Sequence, residues 1–257
     1  MIRDIDWEKA KEKFLNAKPF NYIILDDFFL PSIAEKLSSE FPNYDGDEVN
    51  KYKNALEDKR TLNQWDKFPS TTYKAFNFFG VDLVDKMRHL IGEDYLWFDF
   101  GLNGGGWHMH SRGGNNNVHL DYNIHPKLGM QRKLNIIVYL TNDWETSWGG
   151  GLELWTHDEV NNCPKELVKT IDNKYNRAVI FDTTQNSWHG LPNKINCPED
   201  IIRKSLAGYY VRSAPINTDN RGRALFSARE DQKNDPNVDE LIRKRANVDT
   251  SNNVYRQ

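Results

Sequence analysis

The hydrophobic pattern changes texture near residue 95. Before that point it is helical: residues 6 to 17 read as a short charged helix, a second helix is expected from Pro31, at the favoured first position, to about Phe41, and "STTYKAFNFFGVDLVDKMRHLIG" (70 to 92) spaces its apolar residues for a helix. Between the first two lies "YIILDDFF" (22 to 29), whose β-branched and aromatic residues predict a strand. Residues 42 to 68 are polar and irregular, which predicts a solvated surface excursion or a loop covering a substrate. His89, within the third helical stretch, reads as a surface or helix-end histidine.

From Tyr95 the chain becomes a series of short strands broken by turns: "YLWFDFGL", "NVHLDYNI", "KLNIIVYL", "GLELWTH", "RAVIFDTT" and "SLAGYYVR". Several short strands with turn signals between them predict a sandwich or barrel, with the helices packed on it. Residues 214 to 257 are rich in charge and asparagine and hold one helical segment near "NVDELIRKRANV"; this tail could pack on the barrel, join a neighbour or stay mobile. The expected organisation is an N-terminal region of helices and a strand (1–94), a β core (95–213) and a charged C-terminal extension (214–257). With 257 residues and no internal repeat, one domain with extensions is favoured over two.

Composition narrows the function classes. Charged residues make up 28% of the chain and hydrophobic residues 38%, which excludes a disordered or membrane-embedded chain. A net charge of -3, with basic residues dispersed, leaves no footprint for nucleic acid. The N-terminus "MIRDIDWEKAKEKF" alternates charges where a signal peptide needs an apolar core, and runs such as "IIVYL" are too short to span a bilayer, so a cytoplasmic location is expected. Cys163 and Cys197 are then expected to be reduced, and they lack the CxxC spacing of a thiolate metal site.

The candidate chemistry lies in "NNNVHLDYNIH", where positions i and i+2 of a strand share a face, so His119 and Asp121 can aim an imidazole and a carboxylate at one point. Alone, the pair is as easily a wet strand face. "NSWHGLP" adds His189 just after the strand "RAVIFDTT", where a sheet edge can return it to the pair. Two histidines and one carboxylate on one side of an octahedral ion leave the opposite face open, as in the facial triad of non-haem Fe(II) oxygenases. Further on, Arg203, Ser205 and Tyr209 share a face of "RKSLAGYY"; a permanently charged guanidinium beside a metal site calls for an anionic ligand, the alternative being a rim salt bridge.

The order H-x-D, "RKLNIIVYLTNDWETSWGGGLELW", a distal histidine and R-x-S resembles the Fe(II)- and 2-oxoglutarate-dependent dioxygenases of the prolyl-4-hydroxylase type, over roughly residues 95 to 212. The resemblance implies a double-stranded β-helix, the cupin-like jelly roll, with iron held by His119, Asp121 and His189. It places the residue for the distal carboxylate of 2-oxoglutarate at Arg203, with Ser205 beside it and Tyr139 assisting. Asn135, on the face of Tyr139, is a further candidate for the co-substrate pocket or plain strand packing. His110, nine residues before His119, falls near where the family places a polar or aromatic residue by the co-substrate; otherwise it is a solvated loop histidine. The implied cofactors are Fe(II), 2-oxoglutarate and dioxygen, with room for ascorbate. The implied reaction is hydroxylation of an unactivated C–H bond with release of succinate and CO2, on a prolyl, amino-acid or other small biosynthetic substrate. One departure is the insertion "PNKINCPEDI", which lengthens the interval from His189 to Arg203 relative to the oxygen-sensing members. Asp121 itself separates the chain from related halogenases, which have a small residue at that position.

Around this constellation, "GLNGGGWHMHSRGGNNN" (101 to 117) is expected to be a flexible lid, because its glycines admit positive φ. His125 is placed at a strand exit or against substrate, and Trp144, Trp148, Trp155 and Trp188 at the barrel mouth or in packing. His157 carries no functional expectation. The competing class is a zinc or manganese isomerase or hydrolase on the same scaffold, against which Arg203 and Tyr139 argue, since neither is needed without a dicarboxylate.

Overall fold

The computed structural model describes residues 1–255. In chain order its elements are α1 (Trp7–Asn16), β1 (Tyr22–Leu25), α2 (Pro31–Ser39), β2 (Asn50–Lys53), β3 (Glu57–Leu62), α3 (Ser70–Val81), α4 (Val84–Ile91), β4 (Trp97–Phe98), β5 (Gly106–His110), β6 (Asn115–Leu120), β7 (Gln131–Tyr139), β8 (Leu152–Asp158), β9 (Cys163–Ile171), β10 (Ala178–Asp182), β11 (Trp188–Leu191), β12 (Arg203–Arg212), β13 (Leu225–Phe226) and α5 (Pro236–Ala246). The strands form one antiparallel sheet in the order β1-β10-β7-β12-β5-β3-β6-β11-β8-β9, with β2 on β3, β4 on β12 and β13 on β6. The expected mainly-β core with flanking helices is therefore observed, and the sheet is curled as in a jelly roll.

Strand parity divides this sheet into two faces. Leu134, Ile136 and Val138 of β7, Ala178 and Ile180 of β10, and Leu206 and Tyr210 of β12 pack with Phe14 of α1, Leu37 of α2, Phe76 and Phe79 of α3 and Met87 of α4. On the other face, Asn135, Ile137, Arg203, Ser205, Ala207 and Tyr209 line a cavity. Both faces of the central strands are thus buried, which is why "KLNIIVYL" reads as a nearly continuous apolar run. Tyr139, Leu152, Leu154, Ile171, Val179 and Phe181 form a second apolar cluster, of which Leu152 reaches the cavity.

The helices match the predicted pattern with local changes. Asp6 caps α1 by accepting the Lys9 N–H at 3.0 Å. The 70 to 92 stretch is two helices, and α4 ends on left-handed Gly92. Strand 22 to 29 stops at Leu25, because Asp27 adopts φ 52°.

Two expectations are corrected. The irregular excursion at 42 to 68 contains the hairpin β2–β3, and β3 bridges β5 and β6. The expected flexible lid at 101 to 117 contains β5 and the start of β6, and β5 pairs with both β12 and β3. The glycines there serve close packing. Gly106 has φ 96°, and a Cβ on it would lie 2.2 Å from the Leu62 carbonyl oxygen.

The C-terminal segment packs on the barrel: β13 pairs with β6, and Phe226, Val238 and Leu56 form a small cluster. Among the described residues no helix is long and apolar enough to cross a membrane, and both cysteines are free.

Candidate metal and co-substrate site

β6 and β11 are neighbours, and their register sets His119 directly opposite His189. Asp121 follows β6 by one residue, and the ligand atoms of the three side chains lie within 4.8 Å of one another. Each imidazole is oriented by its own strand: His119 Nδ1 is 2.9 Å from the Asn117 carbonyl oxygen and His189 Nδ1 is 2.8 Å from that of Ser187. A carbonyl can only accept, so both Nδ1 atoms carry the proton and both Nε2 lone pairs are left for a metal. Burial keeps the rings neutral; it drives His119 down to about 3, with His189 as the next cause, and lowers His189 as well. Asp121 Oδ2 is buried without a hydrogen-bond partner. Two neutral imidazoles, an ionised carboxylate and an orphaned oxygen converging on one point fit a divalent cation of the Fe(II) type.

Arg132 helps to hold the carboxylate in that state. Burial, the largest single influence, would raise the Asp121 carboxyl, but the charge of Arg132, with Nη1 at 3.4 Å, and the smaller effects of His189, His119 and Lys59 together outweigh it, and the pKa lies below its ordinary value. The guanidinium is sandwiched between the rings of Tyr122 (3.4 Å) and Tyr209 (3.3 Å), and Nη2 donates to the Asn103 carbonyl at 2.7 Å. Arg221, from the C-terminal segment, donates to the Asp121 backbone carbonyl through Nε and Nη2, and Phe226 stacks on His119 at 5.0 Å.

The same cavity, about 390 Å³, reaches Arg203. Arg203 is 3% exposed, pairs in register with His110, and donates from Nε to the Gly150 carbonyl at 2.8 Å. Its guanidinium carbon is 4.9 Å from the Tyr139 ring centroid, and Tyr139 Oη is buried with no hydrogen-bond partner. Burial lowers the Arg203 pKa and raises that of Tyr139. A buried cation beside an orphaned hydroxyl suits an anion with hydrogen-bond acceptors, such as the carboxylate of a dicarboxylic acid. Ser205 and Asn135 line the cavity; Lys204 points the other way, its Nζ donating to the Ser38 carbonyl at 3.1 Å. The insertion at 192 to 201 does not displace this register, because Ile195 and Cys197 bury with Leu191 beside Trp144 and Trp148.

His110 is buried, not a solvated loop residue; both its ring nitrogens lack partners and it lines the cavity. His125 is taken up by structure: its Nδ1 accepts from the backbone N–H of Lys127 and Leu128, and its Nε2 lies 3.3 Å from Asp99. Trp188 donates to His157 Nδ1 at 2.9 Å, and Trp155 to Glu153. Among the four tryptophans, none lines this cavity.

Sequence reasoning did not single out Arg132, Lys59, His108 or Phe226, all of which line the cavity. Arg132 has the wrong parity for the Asn135–Tyr139 face. A bulge corrects it: β12 pairs Tyr210 with Leu134 but Val211 with Arg132, so Lys133 is an extra residue that reverses the alternation. Lys59 and Phe226 sit on short strands whose partners are distant in sequence, and only the stacking of Arg132 between two tyrosines had a local trace, in the tyrosine of "HLDYN".

Comparison with known proteins agrees with this geometry. Residues 105–211 match the family model described as the 2OG-Fe(II) oxygenase superfamily. A stretch of 79 residues is 30% identical to mouse prolyl 3-hydroxylase OGFOD1, covering 31% of this chain and 14% of that protein, so the match spans about one seventh of the relative's length. A Pseudomonas putida prolyl-4-hydroxylase superposes with a TM-score of 0.56 at 14% identity, over 80% of this chain and 99% of that one. A Trichoplax adhaerens prolyl hydroxylase, solved with a hypoxia-inducible-factor peptide, gives 0.56 at 15% identity, over 81% and 94%. Residues 105–211 accordingly match the 2OG-Fe(II) oxygenase superfamily, and the fold is prolyl-4-hydroxylase-like.

Proposed function

We propose that the chain is an Fe(II)- and 2-oxoglutarate-dependent dioxygenase that hydroxylates an unactivated C–H bond of a prolyl, amino-acid or other small biosynthetic substrate. The observation that carries this reading is one cavity lined by both the His119–Asp121–His189 cluster and the buried Arg203, which packs on the ring of Tyr139. The three side chains would hold Fe(II) on one face, and Arg203 would grip the far carboxylate of 2-oxoglutarate, with Tyr139 Oη donating to it. Ser205, Asn135 and His110 would line the co-substrate pocket. When bound, the iron and the co-substrate supply the oxidation, releasing succinate and CO2 and transferring one oxygen atom of O2 to the substrate. The protein fixes the histidine tautomers through the Asn117 and Ser187 carbonyls, helps to keep Asp121 ionised through Arg132, and excludes bulk water.

A metal-only isomerase or hydrolase would leave the cost of burying Arg203 without a return. The test is succinate formation from 2-oxoglutarate with Fe(II) under air, screened against free amino acids, prolyl peptides and small metabolites. Succinate that depends on Fe(II) and O2 is expected. Turnover supported by Zn(II), with no consumption of 2-oxoglutarate under any condition, would defeat the proposal.

A further inference from the structure

The three ligands of the proposed metal site are not held alike. His189 is set from within the stretch that matches the oxygenase superfamily, residues 105–211: the Ser187 carbonyl takes its Nδ1 proton, and the Phe181 ring lies 4.6 Å away, centroid to centroid. His119 and Asp121 belong to the same stretch, yet groups that fix them come from residues 219–232, beyond its end.

Asp121 stands just past the end of β6, where the pairing with β13 stops at Leu120. Its backbone carbonyl is met instead by Arg221, from Nε at 3.3 Å and Nη2 at 3.2 Å, and Arg221 Nη1 is anchored on the Asp219 carboxylate. The backbone on either side is tied down as well: the Asn123 N–H donates to the Arg221 carbonyl at 2.7 Å, and Asn123 Nδ2 donates to the Asp219 carbonyl at 2.6 Å. At His119, β13 places Phe226 directly opposite, with the two rings stacked at 26°. Asn117, whose carbonyl sets the His119 tautomer, has a fully buried side chain gripped by the same segment: Nδ2 donates to Gln232 Oε1 at 2.7 Å and to the Ser227 carbonyl at 3.1 Å, and Oδ1 accepts from Arg229 Nη1 at 2.8 Å.

The run from Asn117 to Asp121 is thus clamped at every second residue, the spacing at which a strand turns one face to its neighbour. Neither Arg221 nor Gln232 lines the cavity, so any influence they have on a metal passes through the ligands they hold. Ligands fixed in place before the metal arrives lose less freedom on binding it, and outer partners of metal ligands are worth about 10- to 100-fold in affinity or activity.

We propose that residues 219–232 are a positioning element for the metal, in which Arg221 fixes Asp121 and the Asn117–Gln232–Arg229 cluster fixes His119. The stretch 105–211 reaches its full metal affinity only with this segment clamped along β6. This rests on the metal-binding part of the oxygenase reading and extends it to residues that touch neither the metal nor the co-substrate.

The experiment is titration of the full chain with Mn(II), the free ion being followed by electron paramagnetic resonance, beside the melting temperature of the metal-free protein. The proteins compared are the wild type, Arg221→Met, Arg221→Lys and Gln232→Met. Arg221→Met and Gln232→Met are expected to weaken Mn(II) binding by about tenfold or more, while the metal-free melting temperatures stay within a few degrees of the wild type. Arg221→Lys should recover part of the loss, because an ammonium can donate to the same carbonyl. Arg221→Met should also change the visible absorption of the Co(II)-loaded protein, which reports ligand geometry. Wild-type Mn(II) affinity in Arg221→Met overturns the proposal, whatever Gln232→Met does. So does a loss of affinity that comes only with a much lower metal-free melting temperature and an unchanged Co(II) spectrum, since the segment would then brace the fold alone. A wild-type chain that binds no Mn(II) overturns the metal site and this proposal with it, whereas tight binding by wild type and variants alike overturns the proposal and leaves the oxygenase reading standing.

Discussion

Replacing Arg203 with methionine should have effects of opposite sign on the unliganded and the liganded protein. Arg203 is 3% exposed, its pKa is lowered by burial, and its described partners are the Gly150 carbonyl and the Tyr139 ring, with no carboxylate among the ion pairs of the described residues. A buried charge without a counter-charge costs stability, and methionine fills a similar volume without that cost, so the unliganded variant should melt at or above the wild-type temperature. The liganded protein should lose the contact between guanidinium and carboxylate. Charge-assisted hydrogen bonds are each worth about 1.5–3 kcal/mol, and removing one partner of a buried pair costs about 2 kcal/mol or more, so 2-oxoglutarate affinity should fall roughly 30- to 150-fold. The assay is thermal unfolding of Mn(II)-loaded protein across a 2-oxoglutarate series, where ligand-induced stabilisation follows the ratio of ligand concentration to Kd. Retained stabilisation at wild-type concentrations would refute the assignment of Arg203. A variant that unfolds well below the wild type without ligand would show instead that the arginine braces the fold.

Three further outcomes follow from the same geometry. Asp121→Gly removes the carboxylate ligand, so hydroxylation should be abolished with chlorination at most a trace by mass spectrometry in saturating chloride; undiminished hydroxylation would show that Asp121 is not a ligand. Gly106→Val should destabilise the fold by at least about 2 kcal/mol in urea denaturation, because its Cβ would fall 2.2 Å from the Leu62 carbonyl oxygen at φ 96°, and a neutral result would mean that β3 and β5 separate without cost. The Asp26 carboxyl is lowered first by its hydrogen bond to Arg177, with Lys174 adding to the effect, so its contribution is present above the unfolded carboxyl value of about 3.9 and lost as pH falls through the lower folded value. Asp26→Asn should therefore lower stability at pH 6 and converge with the wild type near pH 2 to 3; a constant difference across that range would contradict the shift.

What the sequence disclosed and what it withheld divide along physical lines. His119 and Asp121 were legible because strand parity is local, and Arg203 with Ser205 for the same reason. The β2–β3 hairpin was not, since Lys59 and Arg60 look like a solvated surface until Glu57 is seen buried between Lys59 and Arg245, almost two hundred residues apart. The glycine-rich run at 101 to 117 misled for a related reason: positive φ at Gly106 permits mobility, but it equally permits the backbone approach that β3 and β5 use. Arg132 was hidden by a single bulge at Lys133 that inverts the face of the strand.

The central claim, that His119, Asp121, His189 and Arg203 form one site for a metal and a dicarboxylate, is tested most directly by anaerobic crystallography of the protein with Fe(II) and 2-oxoglutarate. A single metal should bind to Nε2 of both histidines and to a carboxylate oxygen of Asp121, with the far carboxylate of 2-oxoglutarate on Arg203 and within hydrogen-bond distance of Tyr139 Oη. A metal bound elsewhere, or a 2-oxoglutarate whose far carboxylate lies away from Arg203, would contradict the account.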